Sequence, residues 1–234
     1  MKLSCIRLME KFIPMLKRNV VKIAGALAII VFMAVLASCS GERDHEYKYF
    51  VSKESVSSYS LTYINTLLNG AEGYFPEISV VRPYIEYPVD IFKVVYLSEA
   101  GGKEISASGL VCVPRGDGEF PVLSFQNGTN TLNSACPTEF PSSPMYQFVE
   151  IIASMGFVVI IPDYPGFGES ADIAHPYLIR EPTVRSGVDM LYALHEMDER
   201  ELPDISVSDD VYLAGYSQGG WATLALHEAL ENDY

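Results

Sequence analysis

Cations are scarce in this chain of 234 residues: 16 Lys and Arg stand against 30 Asp and Glu, for a formal net charge of −14. So acidic a body repels nucleic acid and anionic lipid surfaces, which removes nucleic-acid binding from the function classes open to it. Charge says nothing about fold. Cysteine is scarcer still, at four residues, and no spacing among them marks a disulfide framework or a metal site. Histidine also numbers four, and tryptophan one. There is no fixed-period repeat and no low-complexity tract, so neither a solenoid nor a disordered chain is expected. What the chain does have is apolar content: 49% of its residues are hydrophobic and 20% charged, enough for one packed domain beyond a short targeting segment.

No apolar run is long enough for a membrane span. The longest, residues 23–37, has 15 residues, short of the ~20 that a helix needs to cross a bilayer. It follows a basic patch of Lys17, Arg18 and Lys22 and ends in small residues, which is the layout of a secretory signal. Residues 1–16 are long for such a segment, and Met15 would open an ordinary one. Leu36-Ala37-Ser38-Cys39 resembles the lipobox of bacterial lipoproteins. That resemblance implies cleavage before Cys39, lipidation of Cys39, and anchorage in the cell envelope, at the outer membrane or cell surface. Loss of residues 1–38 removes six cations and one anion and takes the formal charge from −14 to −19. The expected organisation is a signal over 1–38, a polar tether over 39–54 and one domain over 55–234. Of the remaining cysteines, Cys112 falls in a strand-like run and Cys136 in a loop; an exported protein could pair them or leave them free.

Along the domain, Val56, Ile64, Leu67 and Leu68 at helical spacing, closed by Asn69-Gly70, predict a helix over 55–68. Alternation over 89–97 and 105–113, joined at Ala100-Gly101-Gly102, predicts a hairpin. Apolar runs at 121–125, 157–161 and 211–214 predict short buried strands. Helices are expected over 146–155, 183–197 and 218–230. The helix over 183–197 should present Val184, Val188, Leu191, Tyr192 and His195 on one apolar face. Strands alternating with helices after an antiparallel start imply a mostly parallel sheet covered on both faces.

Three segments then concentrate the chemistry. Gly215-Tyr216-Ser217-Gln218-Gly219-Gly220 carries G-x-S-x-G between a predicted strand and a predicted helix, where a serine is lifted onto a sharp turn. Gly215 and Gly219 leave room for strand and helix to approach. Phe125-Gln126-Asn127-Gly128-Thr129 follows another strand, where backbone N–H groups can face a developing oxyanion. Gln218 and Thr129 are the expected donors, with Gly128 the alternative to Thr129. Asp163-Tyr164-Pro165-Gly166-Phe167-Gly168-Glu169-Ser170 follows a third strand; Gly166 and Gly168 let that loop turn back, and Asp163 is expected to tie it by hydrogen bonds to backbone N–H groups.

Together these segments resemble the secretory-lipase-like branch of the α/β-hydrolases, in which Gly-Tyr-Ser-Gln-Gly-Gly recurs and a His-Pro-Tyr stretch, here His175-Pro176-Tyr177, follows the glycine loop. The resemblance covers 89–230. It implies an α/β-hydrolase fold and hydrolysis of carboxylic esters, from short acyl esters to lipids, by Ser217 with no cofactor and no metal. The family order is Ser, then Asp or Glu, then His, so Asp163 is not the triad acid. His45, His175, His195 and His227 do not stand at the family's histidine position, and His175 is the nearest stand-in. Only 17 residues follow Ser217. The resemblance therefore implies a chain truncated after the elbow helix, inactive alone, with the 211–214 strand left as an unprotected edge. Two other readings stay open: a peptidase of the prolyl-oligopeptidase type, disfavoured because no propeller precedes the fold, and a non-catalytic surface-binding lipoprotein remnant.

Overall fold

The computed structural model describes residues 48–202 and 204–234. The signal, Cys39 and most of the tether lie outside the described residues, as does His45. Among those described, no helix is long and apolar enough to cross a membrane.

Six strands form one sheet: β1 (Phe50–Tyr59), β2 (Val89–Ala100), β3 (Lys103–Pro114), β4 (Gly118–Gln126), β5 (Val158–Pro162) and β6 (Ile205–Gly215), in the order β1-β2-β3-β5-β4-β6. The first three strands and β5 are joined antiparallel; β5, β4 and β6 run parallel. This is the α/β-hydrolase fold. The expected hairpin is β2–β3, turned by Gly101 and Gly102 at φ 60° and 73°, both in the left-handed region that a two-residue hairpin requires. β5 is buried at every residue, as its continuous apolar run predicts.

The start of the domain differs from expectation. Residues 50–59 are strand, where the sequence suggests a tether and then a helix. Helix α1 (Leu61–Glu72) begins only after Ser60, whose hydroxyl accepts the Tyr63 N–H at 3.2 Å. Only Phe50 and Tyr59 of β1 are buried, and two register shifts break its pairing with β2. A serine-rich edge strand buried at its two ends carries no strict alternation, so its period does not show. Its first turn is fixed from outside: the Glu196 carboxylate accepts the N–H groups of Lys48, Tyr49 and Phe50 at 2.8–3.0 Å.

Helices cover the two faces unequally. α1, the short α2 (Ile78–Val81) and α3 (Pro144–Glu150) with the 3₁₀ turn Ile151–Met155 lie over one face, packing Ile64, Leu68, Val149 and Ile151 against Ile91, Leu110, Val159 and Ile161. α4 (Arg180–Glu201) covers the other, seating Met190, Leu194 and Met197 on Tyr96, Val111 and Ile160. α5 (Gln218–Asn232) packs beside α4 through Val184, Val188, Leu226 and Ala229. On α4, Val184, Val188 and Leu191 are buried as expected, but Tyr192 is 40% exposed, stacked on Tyr49 at 5.0 Å, and His195 is half-buried.

β6 is less buried than its apolar run suggests. It forms the sheet edge, bonded to β4 alone, with Tyr212 55% exposed against Phe157. A register shift opposite Phe120 and Val122 places a bulge around Ser208-Asp209-Asp210, just before the 211–214 segment. Cys112 and Cys136 are both free and buried, in separate packing clusters.

Candidate active site

The parallel strands deliver their carboxyl ends to one place. Gln126 at the end of β4 pairs with Gly215 at the end of β6, and the Tyr216 N–H donates to Gln126 O at 3.2 Å. The chain then turns sharply. Ser217 sits exposed at φ 58°, ψ −114°, directly before α5. A β-carbon added at Gly215 would come within 2.3 Å of Gly219 O, and one at Gly219 within 1.8 Å of Gln126 O. Strand, turn and helix can therefore close on each other only because both positions lack a side chain.

Backbone donors collect around Ser217. Within the first turn of α5, Gly219 N–H bonds Tyr216 O and Gly220 N–H bonds Ser217 O. The Gln218 N–H has no acceptor among the described residues, and it stands at the positive end of the helix. The loop after β4 adds two more N–H groups without an acceptor there, on Gly128 and Thr129. Its position is fixed by Asn127. That side chain donates to Pro162 O at 2.7 Å and accepts from Asn130 Nδ2 at 3.1 Å, while its backbone carbonyl accepts the Tyr164 hydroxyl at 3.0 Å. A β-carbon at Gly128 would lie 3.1 Å from the Tyr216 ring, so this loop rests against the elbow itself.

Asp163 holds the third segment, in a way the sequence shows only in part. Its carboxylate accepts the Thr138 N–H at 2.9 Å, as a loop-tying aspartate should, and also the hydroxyls of Thr138 at 2.6 Å and of Ser108. Burial pushes its acidity weaker than an ordinary aspartate, and those donors pull the other way. Gly168 passes so close that a β-carbon would fall 2.2 Å from an Asp163 oxygen, and one at Gly166 would fall 2.5 Å from the His175 backbone. Both glycines have positive φ, 93° and 58°. The non-glycine residues with positive φ among those described are Tyr164, Leu178 and Ser217, and all three belong to these loops, where backbone strain is commonly held.

Between the loops lies an open groove of about 600 Å³, with Thr129, Asn130 and Asn133 from one loop and Phe167, His175 and Tyr177 from the other. None of the three described histidines hydrogen-bonds Ser217. His227 is exposed and faces Glu231 at 3.6 Å one turn along α5. His195 lies on α4. His175 reaches the site but has both ring nitrogens engaged, Nδ1 with Pro165 O at 2.7 Å and Nε2 with Gln218 Nε2 at 3.1 Å. No group of three or more His, Cys, Asp or Glu side chains among the described residues is arranged to hold a metal ion.

The same fold occurs in solved hydrolases. A Legionella pneumophila protein named as a candidate hydrolase superimposes with a TM-score of 0.68 at 27% identity, over 80% of this chain and 48% of that one. The rice cell wall degrading esterase LipA from Xanthomonas oryzae gives 0.68 at 25% identity, over 80% and 47%. Candida antarctica lipase A, at 17% identity, shares the fold with a TM-score of 0.52 over 80% and 39%. The chain thus spans about half the length of the solved structures it resembles. No protein-family model and no curated protein matches it.

Proposed function

We propose that this chain carries the nucleophile and oxyanion half of a serine hydrolase acting on carboxylic esters. One observation carries the reading: Ser217 is exposed on a strained strand-to-helix turn directly before α5, where the Gln218 N–H has no acceptor among the described residues and the loop carrying Gly128 rests against Tyr216. Ser217 Oγ attacks the ester carbonyl carbon, and an imidazole takes the hydroxyl proton. The carbonyl oxygen becomes an oxyanion held by the Gln218 and Thr129 amides. Collapse of that intermediate breaks the bond to the alkoxy oxygen, which leaves with the proton as alcohol. Water then frees the acyl group by the same route. The imidazole and its acid partner come from residues outside those described, because the lone pair of His175 Nε2 is already used. Esterase and lipase names among the structural neighbours support the substrate class.

The test is substitution of the nucleophile. In an ester-hydrolysing form of the protein, completed where needed with a homologous C-terminal part, Ser217→Ala should lower turnover of a p-nitrophenyl ester by about 10⁶. Retention of a tenth of the activity would refute the assignment. In the same reading Cys39 is lipidated and holds the enzyme to the cell envelope. Cys39→Ala should then leave an unprocessed or soluble protein, and normal lipid labelling of that variant would overturn the anchor.

A further inference from the structure

His175 links two of the loops that build the site while standing in neither the strand end nor the elbow. A carbonyl oxygen can only accept, so the 2.7 Å contact with Pro165 O puts the proton on Nδ1. Nε2 is then an acceptor and takes an N–H from the Gln218 side-chain amide at 3.1 Å. With the ring neutral, reversing that amide would set its oxygen against the Nε2 lone pair, so this orientation of Gln218 goes with the Nδ1–H tautomer. Among the described residues the Gln218 side chain has no other hydrogen-bond partner: it is 4% exposed, and its Oε1 is buried without one. The imidazole is itself clamped, 4.8 Å from the Phe167 ring and 6.1 Å from the Tyr164 ring, with its backbone pressed on Gly166.

Gln218 is also the residue whose backbone N–H faces the proposed oxyanion. The peptide between Ser217 and Gln218 follows a residue at φ 58°, so rotation of that peptide would relax the turn and swing the N–H away. We propose that His175 is a positioning residue: by holding the far end of the Gln218 side chain it keeps the Gln218 N–H aimed at the oxyanion. The inference rests on the Ser217 reading above. His175 also walls the groove, and the experiment must separate that contact from positioning.

Two measurements do so. In ¹⁵N NMR of the full 234-residue chain, His175 Nδ1 should carry a proton bonded to Pro165 O and the Gln218 side-chain amide should exchange slowly. His175→Phe keeps a ring for the aromatic packing and removes both hydrogen bonds. It should speed Gln218 side-chain exchange at least ~10-fold and move the Gln218 backbone signal, while signals from the middle of α4 stay in place. Unchanged Gln218 signals would overturn the proposal whatever the state of Ser217. In the ester-hydrolysing form, His175→Phe should lower kcat by about 10- to 100-fold, a part of the 10²–10³ that one oxyanion donor supplies, with KM little changed. Gln218→Met should do the same, and the double variant should lose no more than either alone. A raised KM with kcat intact makes His175 a wall of the groove only, and additive losses show that the two residues do not act through each other; either result refutes positioning. Activity that survives Ser217→Ala would sink the nucleophile assignment instead, a result separate from the NMR outcome.

Discussion

Asp163 and Glu150 are both fully buried, each at 0% exposure, yet they are held in opposite ways. Asp163, beside the candidate site, receives a backbone N–H and two hydroxyls shared over both of its oxygens. Glu150, at the end of α3, receives one bond, from the Tyr59 hydroxyl at 2.7 Å, and its second oxygen has no partner among the described residues. Burial drives its pKa from 4.5 up to about 7, and the Tyr59 bond opposes that shift. Removal from water is costly for a charge unless donors replace the lost hydration. At Asp163 they are present and the carboxylate works as a peg for the 133–140 loop and the glycine loop. At Glu150 they are short, and the group takes up a proton within the physiological range. Burial raises the pKa of both, and the number of donors decides which carboxylate is tied into its surroundings.

The largest expected effect is at the satisfied carboxylate. Asp163→Ala should destabilise the domain by about 3–5 kcal/mol, because it strands buried donors on Ser108 and Thr138. Asp163→Asn keeps the shape but turns an N–H donor toward those donors, and should cost about 1–3 kcal/mol. Equal stability of Asp163→Ala and wild type in urea unfolding would break the comparison. Next comes the pH dependence of Glu150. Its folded pKa is raised, so its contribution is fully present below about pH 4.5 and lost as pH climbs through 7, at a cost of about 3 kcal/mol once the group is ionised. Glu150→Gln stays neutral, should recover about 2–3 kcal/mol at pH 8, and should do almost nothing at pH 5. Denaturant midpoints of the two proteins at both pH values decide it, and parallel curves would remove Glu150 as the source. The smallest effect belongs to Tyr59→Phe, which deletes the one donor to Glu150. The loss should be about 1–2 kcal/mol at pH 8 and less at pH 5, where the carboxyl is neutral; a larger loss at pH 5 would contradict the assigned protonation.

The site segments were legible because each rests on glycine. Positions 215 and 219 admit no β-carbon beside Gly219 O and Gln126 O, and residues that cannot be replaced locally leave a local trace. The antiparallel opening follows from the hairpin at Gly101-Gly102, and the parallel strands after it from the alternation of apolar strands with helices. What the sequence concealed is held by distant partners. β1 borrows its pairing from β2 and its fixed start from Glu196, 146 residues beyond Phe50, so neither period nor propensity marks it. Tyr192 kept the helical spacing of a buried residue but found Tyr49 at the surface. The link from His175 to Gln218 joins residues 43 positions apart; the only hint of it was a His-Pro-Tyr stretch trailing the glycine loop.

The clamp that Glu196 places on residues 48–50 also settles a question of bearing. Through the ladder, Lys53 of β1 lies level with Val94, Gly109 and Pro162, so the strand begins at the same end of the sheet where β4, β5 and β6 finish and Ser217 stands. The chain therefore enters the domain at its working end and not at its back.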